Sequence, residues 1–330
     1  MSGYRLSVCI PTYNRAGFIG ATLSNILSQS PPDVEIVIVD GASTDHTSEV
    51  VEDIQREHPN VQYHREPRNN GVDGDLARAV DLARGEYCWL MSSDDHLAVG
   101  AIQRVLGEIT EGHVIYLCNI TACTRDLVPV RGLSWFSAGT EDRAFDCSSS
   151  VGFLEYLRSA RSIGALFSYM PSVIVRRSEW MGVAGKERFF GSCYAHVHTL
   201  LALVRDGAGL KYIRDALVLT RFGNDSFSAQ GFAKRMMIDF EGYLHLADRF
   251  CNNDPALRQA FLMVMTREHR WYRILRLRSS ISDSREWEHM REMLRAVGYS
   301  KALITFCGIF GSFRTMIGLM HRIKRALRPL

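Results

Sequence analysis

Along the first 120 residues, apolar positions follow two different patterns, one typical of β-strands and one typical of α-helices. Short apolar runs that predict β-strands occupy residues 6–10, 35–39, 61–64, 87–91 and 114–119. Between these runs, apolar residues recur at helical spacing over residues 16–28, 45–57, 75–83 and 99–110. Strands that alternate with helices predict an α/β fold, in which helices cover both faces of an open, mostly parallel sheet.

The pattern is less regular after residue 120 and becomes helical after residue 231. The sequence predicts strands at 172–177 and 210–220, a helix at 196–206, and polar loops at 125–150 and 221–231. From Phe232 onwards, apolar residues keep a helical spacing. We therefore predict one domain over residues 1–230, with two halves that meet near residue 120, followed by a helical C-terminal region over 231–330.

The net charge of +3 is the sum of an acidic N-terminal part and a basic C-terminal part. Residues 261–330 hold 14 basic and 5 acidic side chains, whereas the first 260 residues carry a net charge of −6. This split suggests two surfaces with different partners. The composition, 46% hydrophobic and 23% charged, excludes long disorder and a small disulfide scaffold. We expect no nucleic-acid partner, because no nucleic-acid-binding motif accompanies the basic residues.

The eight cysteines are scattered and include no CxxC pair, which disfavours a structural zinc site. Several lie inside apolar runs, so we expect buried free thiols in a reducing cytosol. The first residues hold no apolar core of secretory length, and we predict no signal peptide. A cytoplasmic protein is therefore expected.

Residues 302–313 contain no charge, but twelve residues are too few to span a bilayer. An amphipathic pattern follows, with apolar residues on one face at 313, 316, 317, 320, 323 and 327, and basic residues or histidine on the other at 314, 321, 322, 325 and 328. We predict that the basic tail over 301–330 makes peripheral contact with anionic lipid. The alternative is a helix that packs on its own domain or on a second subunit, and a homo-oligomer is left open.

Polar clusters follow three of the predicted strands, at residues 12–14, 40–45 and 92–95. In an open parallel sheet, ligands bind outside the carboxyl ends of the strands, so these clusters are expected to share one crevice. Asp94 and Asp95 would repel each other unless a cation lies between them, and Mg²⁺ or Mn²⁺ with phosphate oxygens suits two carboxylates. The alternative is a solvated helix N-cap. A P-loop and a GxGxxG motif are both missing from the sequence, which disfavours those two nucleotide sites.

Three stretches, 11–15, 37–45 and 85–95, resemble the N-terminal half of family-2 glycosyltransferases, which are inverting enzymes with the GT-A fold. The resemblance covers residues 5–225 and implies a nucleotide-sugar half over about 1–120 and an acceptor half over about 121–230. Residues 71–75, and residues 94–96 at the end of the acidic motif, are more similar to O-antigen-type transferases, including abequosyltransferase-like members.

The resemblance implies a role for each matching position. Tyr13 would stack on the nucleotide base, Asp40 would accept a hydrogen bond from it, and Asp94 would approach the ribose. Asp95 would ligate the Mn²⁺ or Mg²⁺ ion that bridges the diphosphate. The complete set of implied nucleotide-sugar-binding residues is Pro11, Thr12, Tyr13, Arg15, Asp40, Asp73, Arg78, Asp94 and Arg221. The alternative is an ordinary surface role for four of these residues: Tyr13, Arg15, Arg78 and Arg221.

An inverting transfer also needs a general base to remove the proton of the acceptor hydroxyl. Relatives usually carry an acidic pair about a hundred residues after the metal motif, but residues 191–198 of this chain hold no acid. We hypothesise that His196 is the base, since an unperturbed histidine titrates near neutral pH. A packing role is the alternative for His196, and Asp142, beside Glu141, is the fallback base.

The sequence thus predicts a metal-dependent, inverting glycosyltransferase. The resemblance implies a polyprenyl-diphosphate-linked glycan as acceptor, at the inner face of the cytoplasmic membrane. Two alternatives stay open: a nucleotidyltransferase, and a non-catalytic relative that binds glycan or acts as a scaffold. The sequence does not identify the nucleotide base or the sugar.

Overall fold

The computed structural model describes residues 3–223 and 231–311, and the chain divides into two compact units, Met1–Asn224 and Asp225–Leu330. The first unit is an α/β sheet structure and the second is helical, which confirms the predicted fold class. Most of the predicted amphipathic tail, from residue 312 onwards, lies outside the described residues.

Within residues 3–223, ten strands form one sheet. They are β1 (Leu6–Thr12), β2 (Val34–Asp40), β3 (Val61–Arg65), β4 (Tyr87–Leu90), β5 (His96–Leu97), β6 (Ile115–Cys123), β7 (Pro129–Leu133), β8 (Arg143–Phe145), β9 (Val173–Arg176) and β10 (Leu210–Arg221). The main path runs β3-β2-β1-β4-β9-β6-β10-β5, while β7 pairs with β6 and β8 with β10. The first four strands of this path are mutually parallel, as are β6 and β10. The other pairings are antiparallel.

The helices of this unit are α1 (Ala16–Leu27), α2 (Thr47–Glu57), α3 (Gly71–Leu82), α4 (Ala101–Glu108), α5 (Ser150–Ser159), α6 (Arg177–Gly182) and α7 (Ala195–Arg205). Every residue of β1 and β2 is buried, as expected of parallel strands covered on both faces. Two helices contribute buried apolar residues such as Ile19 and Leu23 of α1 and Val80 of α3. All eight cysteines are free thiols and seven are buried, which confirms the predicted burial of free thiols.

Strand register determines which residues meet at the carboxyl edge of the sheet. Thr12 of β1 stands opposite Asp40 of β2, and the backbone N–H of Met91, just after β4, donates to the carbonyl of Cys9. The segment that follows Met91 therefore begins at the same edge as the turns after β1 and β2. The three polar clusters share this edge because the strands that precede them are parallel and nearly in register.

The second unit, within residues 231–311, contains five helices: α8 (Gly231–Cys251), α9 (Pro255–Glu268), α10 (Trp271–Ser280), α11 (Ser284–Val297) and α12 (Lys301–Phe310). Asp254, Asp283 and Ser300 cap α9, α11 and α12 by accepting backbone N–H groups at the helix starts. Buried side chains such as Phe240 and Phe261 form its core. Across the described ranges, no helix has both the length and the apolar character needed to cross a bilayer.

Candidate active site

The turns after β1 and β2 hold each other through reciprocal hydrogen bonds. The backbone N–H of Asn14 donates to Ser43 Oγ at 2.9 Å, and the N–H of Thr44 donates to Asn14 Oδ1 at 2.8 Å. Asn14 has φ 52° and Ala42 has φ 60°, both in the left-handed region that non-glycine residues rarely adopt. Backbone strain of this kind clusters at binding sites, where surrounding contacts must hold it in place.

Asp40 ends β2 with no exposed surface, and its two oxygens accept different donors. The N–H of Ser43 donates to Oδ1 at 2.8 Å and the hydroxyl of Tyr63 donates to Oδ2 at 2.6 Å. Burial raises the pKa of Tyr63, and the bond to Asp40 raises it further, so this hydroxyl stays a donor. Each oxygen of Asp40 retains one lone pair, and its acceptor role towards a base stays a prediction.

Thr12, Tyr13 and Arg15 surround the same turn. Thr12 is buried, and its Oγ1 has no hydrogen-bond partner among the residues that the structure describes. Tyr13 is 43% exposed, so its ring is available to a ligand, whereas Pro11 is buried within β1. The backbone N–H of Arg15 donates to Thr47 Oγ1 at the start of α2. The structure thus places Thr12 opposite Asp40, with Tyr13 and Arg15 in the turn that follows β1.

Asp75, on α3, is a second carboxyl group in this region that the sequence analysis did not single out. It is 2% exposed, and its Oδ1 lacks a hydrogen-bond partner within the described ranges. Burial raises the pKa of Asp75 to about 7, with further contributions from the charges of Glu66 and Asp40. Asp75 Oδ2 lies close to Gly41, in the turn after β2. A Cβ atom at position 41 would stand 2.4 Å from this oxygen, so only glycine fits there. The sequence signal that could have identified Asp75 was its position in the stretch 71–75, which resembles O-antigen-type transferases.

The acidic pair that follows β4 differs in exposure between its two members. Asp94 is half-buried and Asp95 is only 3% exposed. Asp95 Oδ2 accepts the hydroxyls of Ser92 at 2.7 Å and Tyr169 at 2.8 Å, and Oδ1 accepts the backbone N–H of Arg221 at 2.9 Å. Burial raises the pKa of Asp95 to about 6, and the neighbouring charge of Asp94 adds to the shift.

Arg221, the last residue of β10, lies against the acidic pair, and its predicted role in nucleotide-sugar binding stays a prediction. Its Nε donates to the backbone carbonyl of Asp94 at 2.6 Å, and Nη1 donates to the carbonyl of Arg125. The guanidinium also lies over the ring of Phe18, 5.3 Å from the centroid. The loop that follows Arg221 falls largely on residues 224–230, outside the described residues.

The acidic pair fits a divalent ion that is completed by phosphate oxygens. Among residues 3–223 and 231–311, no three His, Cys, Asp or Glu side chains gather closely enough to hold an ion by themselves. Mg²⁺ and Mn²⁺ sites at diphosphates need only one or two carboxylates from the protein. Asp95 Oδ1 keeps a lone pair after accepting from Arg221, and a cation would relieve the repulsion from Asp94.

Two residues that the resemblance assigned to the nucleotide-sugar site make other contacts. Asp73 is buried, and its carboxylate accepts the backbone N–H groups of Gly191, Cys193 and Ala195, at 2.9, 2.8 and 3.3 Å. It therefore anchors the loop before α7. Arg78, half-exposed on α3, approaches Glu66 at 3.4 Å, and the charge of Glu66 also acts on Asp75.

His196, the hypothesised base, is the second residue of α7 and is 7% exposed. Its Nε2 lies 3.0 Å from the carbonyl oxygen of Phe167, which can only accept, so the ring donates there and its lone pair is on Nδ1. Burial lowers the pKa of His196 to about 4, with the bond to Phe167 opposing the shift. Phe167 itself has φ 61°, an unfavourable value for a bulky residue. His196 therefore supports a strained segment two residues before Tyr169.

Asp142, the fallback base, contacts Arg214 in the first half of β10, away from Arg221 and the acidic pair. Its Oδ1 accepts the N–H of Arg214 at 2.8 Å, and its Oδ2 pairs closely with Arg104. Glu141 pairs with the Arg214 guanidinium. Because Arg214 precedes Arg221 by seven residues of one strand, Asp142 stands roughly 20 Å from Asp95 at about 3.3 Å per residue. This position is unsuited to a base that acts beside the acidic pair.

Comparisons with known proteins identify the family of the chain. The sequence profile described as Glycosyl transferase family 2 matches residues 7–169. Abequosyltransferase RfbV of Salmonella typhimurium is 34% identical over 313 residues, 93% of each chain. The GalNAc(5)-diNAcBac-PP-undecaprenol beta-1,3-glucosyltransferase of Campylobacter jejuni is 31% identical over 119 residues, which are 35% of this chain and 38% of the relative.

Solved structures share the fold at low sequence identity. Residues 1–349 of TarS from S. aureus, in complex with UDP-GlcNAc, match with a TM-score of 0.65 at 18% identity, covering 89% of this chain and 81% of that one. The mannosyltransferase PcManGT from Pyrobaculum calidifontis, in complex with GDP-Man and Mn²⁺, matches with a TM-score of 0.53 at 17% identity, covering 94% and 85%.

Proposed function

The chain belongs to the family-2 glycosyltransferases, and from that premise we propose that it moves a sugar from a nucleotide-sugar donor to a glycan acceptor in O-antigen-type polysaccharide synthesis. The observation that carries the proposal is the shared sheet edge, where Asp40 and the acidic pair Asp94 and Asp95 follow parallel strands of one sheet. Neither a nucleotidyltransferase nor a non-catalytic scaffold finds support in the comparisons.

The turns after β1 and β2 form the pocket for the donor's base. Tyr13 offers an exposed ring for stacking, and Asp40, which has no exposed surface, would accept from the base after a local rearrangement. Pro11, Thr12 and Arg15 surround this pocket. The neighbouring carboxyl of Asp75, with a pKa of about 7, makes the pocket sensitive to pH.

Asp95, with Asp94 beside it, would hold Mn²⁺ or Mg²⁺ at the donor diphosphate. The ion supplies positive charge that stabilises the departing nucleoside diphosphate. PcManGT, a structural neighbour, is in complex with Mn²⁺. Arg221 lies at the same place and adds a guanidinium whose planar geometry suits phosphate oxygens. Ser92 and Tyr169 orient the carboxylate of Asp95.

His196 stays our candidate for the general base, through the lone pair at Nδ1, although burial lowers its pKa to about 4, below the near-neutral value on which the hypothesis was based. A base contributes typically 10²–10⁴-fold to the rate. His196→Gln, which keeps a donor to the Phe167 carbonyl, should therefore lower kcat at saturating donor by at least about 100-fold if His196 removes the proton. A turnover close to that of the unsubstituted chain would show that His196 is not the base and only supports Phe167.

The acceptor is proposed to be a glycan linked to polyprenyl diphosphate. A relative from Campylobacter jejuni carries PP-undecaprenol in its name, and the basic C-terminal region suits an anionic membrane surface. The protein would then work as a peripheral protein on the inner face of the cytoplasmic membrane, in contact through residues 301–330. The structure describes only residues 301–311 of that segment.

Calorimetry with UDP, GDP, CDP and dTDP, each with and without Mn²⁺, tests the donor site. We expect one nucleoside diphosphate to bind most tightly, and to bind more weakly when Mn²⁺ is omitted. Asp95→Asn should remove the Mn²⁺ effect, whereas Asp53→Asn, on the exposed face of α2, should leave it unchanged. Failure of all four diphosphates to bind would overturn the proposed donor site.

A further inference from the structure

The helical unit exposes its large apolar side chains in one region rather than at scattered positions. Within residues 231–311, five of its six exposed large apolar residues lie on α10 and α12: Trp271, Tyr272, Phe306, Ile309 and Phe310. Each is between 38% and 55% exposed. Exposed apolar clusters of this kind mark contact surfaces, whereas single exposed residues need no explanation.

The two helices form one surface because they pack against each other. Cys307 of α12 is buried, and its Sγ lies 3.8 Å from the backbone carbonyl of Trp271. Buried Ile274 and Ile304 lie on the inner sides of α10 and α12. The rings of Phe306 and Phe310 contact each other, with centroids 4.7 Å apart. The five exposed side chains therefore belong to neighbouring helix faces, which we call the α10–α12 surface.

The charged side chains of α10 and α12 are all basic, and one of them, Arg273, pairs with Glu268 just before α10 at 2.9 Å. α10 carries three arginines, α12 carries Lys301, and neither helix contains an aspartate or glutamate. Arg270, directly before α10, and Arg276 are exposed. Tyr272 and Arg276 are four residues apart, so they lie on the same face of α10. One face of α10 thus carries an aromatic and a cationic side chain together.

We propose that the α10–α12 surface docks on an anionic lipid bilayer, with Trp271 and Tyr272 at the headgroup level. The proposal builds on the proposed function, because a lipid-linked acceptor requires the protein to reach a membrane. Trp and Tyr are the residues enriched at membrane–water interfaces, and each Lys or Arg near an anionic leaflet adds to the attraction. It adds α10 to the membrane contact, which the sequence analysis assigned to residues 301–330 alone.

Charge complementarity favours lipid over a second copy of the chain. A symmetric dimer through this surface would place the same basic residues on both sides of the interface, with no acidic residue of α10 or α12 to pair with them. Like charges opposed in an interface are unfavourable. An anionic leaflet supplies the opposite charge over the whole surface.

Sedimentation of the full chain with vesicles tests the proposal. The vesicles are phosphatidylcholine alone, or phosphatidylcholine with about a third phosphatidylglycerol. We expect binding to the anionic vesicles and its loss at high salt. The double variant Trp271→Ala/Tyr272→Ala should weaken binding by about tenfold or more, because two interfacial rings are removed. Arg270→Ala/Arg276→Ala should weaken it about fivefold for each arginine.

Two control variants and a second apolar pair keep the result interpretable. Val151→Ala removes an exposed apolar residue of α5, and Arg291→Ala removes an arginine of α11, which is paired with Glu288. Both should bind like the unsubstituted chain. Phe306→Ser/Phe310→Ser should reproduce the loss on α12. Circular dichroism identifies a variant that fails to fold.

The outcomes separate the docking surface from the proposed function. Sugar transfer to a water-soluble acceptor fragment should be the same in the surface variants and in the unsubstituted chain. Vesicle binding that survives both aromatic double variants would overturn the lipid surface. A concentration-dependent dimer that those variants dissolve would overturn it in favour of a second copy. Vesicle binding without any transfer activity would instead contradict the proposed function and leave the surface intact.

Discussion

The hydroxyl of Tyr169 donates to Asp95 Oδ2 at 2.8 Å and links the acidic pair to a segment 74 residues further along the chain. Thr220 Oγ1 lies 2.7 Å from the same hydroxyl oxygen. Because the tyrosine has one hydrogen and gives it to the carboxylate, the threonine must donate to the tyrosine. The carboxylate is thereby oriented by a chain of two hydroxyls, from Thr220 through Tyr169.

Replacing Tyr169 by Phe should disturb this orientation while keeping the ring. A hydrogen bond to a charged group contributes about 1.5–3 kcal/mol, so the Mn²⁺ concentration for half-maximal activity should rise by about tenfold or more. The measurement is a Mn²⁺ titration of transfer at saturating donor. Tyr212→Phe is the matched control, since it also removes a buried tyrosine hydroxyl, one that contacts Asn119 instead of Asp95. Equal Mn²⁺ requirements in both variants would show that Tyr169 does not position Asp95.

Asp73→Ala should destabilise the first unit, because three backbone N–H groups around residues 191–195 lose their acceptor. Unsatisfied buried donors cost about 1–3 kcal/mol each, and partial hydration of the loop should limit the total loss to roughly 2–4 kcal/mol. Urea unfolding monitors the change. Asp53→Ala, which removes an exposed aspartate of α2, should cost less than about 0.5 kcal/mol. A small effect of Asp73→Ala would return Asp73 to consideration as a donor-site residue.

Asp75 makes stability depend on pH in an unusual direction for an aspartate. Its pKa is about 7 in the folded chain and has an ordinary value of 3.8. Between these values the folded chain holds a proton that the unfolded chain has released, so stability falls as the pH rises. Asp75→Asn cannot ionise and should be more stable than the unsubstituted chain at pH 8, by on the order of 2 kcal/mol, with the gain fading towards pH 4. Urea midpoints at both pH values check this, and a gain that does not change with pH would refute the assignment.

His196 should produce the opposite slope. Its pKa is about 4 in the folded chain and has an ordinary value of 6.5, so in this range the unfolded chain binds a proton that the folded chain does not. Stability should therefore fall as the pH drops from 6.5 to 4, by up to about 3 kcal/mol. His196→Gln should flatten that decline in urea unfolding. His46→Gln, at an exposed histidine of the second turn, is the control and should keep the slope of the unsubstituted chain.

The sheet edge was predictable because strand ends and turn residues are local signals. Apolar runs of four to seven residues locate β1, β2 and β4, and parallel pairing brings the residues that follow them together. The predicted starts and ends of the strands differ from the observed ones by only a few residues. The same local signals indicated Asp40, Asp94 and Asp95.

The partners of those carboxylates were not predictable in this way. Tyr63 and Tyr169 reach Asp40 and Asp95 only through strand pairing and through the packing of a distant turn, and no spacing in the sequence encodes either contact. His196 and Asp142 show the same limit, because their residue types suit a base while burial and an ion pair determine their surroundings. Residue type indicates what a side chain can do, whereas the fold determines which atoms it meets.

The reciprocal bonds between Asn14 and the 43–44 turn also bear on the thermodynamics of donor binding. Two loops that hold each other before a ligand arrives lose little conformational freedom when it does. The base should therefore bind with a small entropic penalty, and the amide hydrogens of Asn14 and Thr44 should already exchange slowly with solvent in the ligand-free protein. The fixed shape of the two turns, rather than their rearrangement around each ligand, would then determine which base binds.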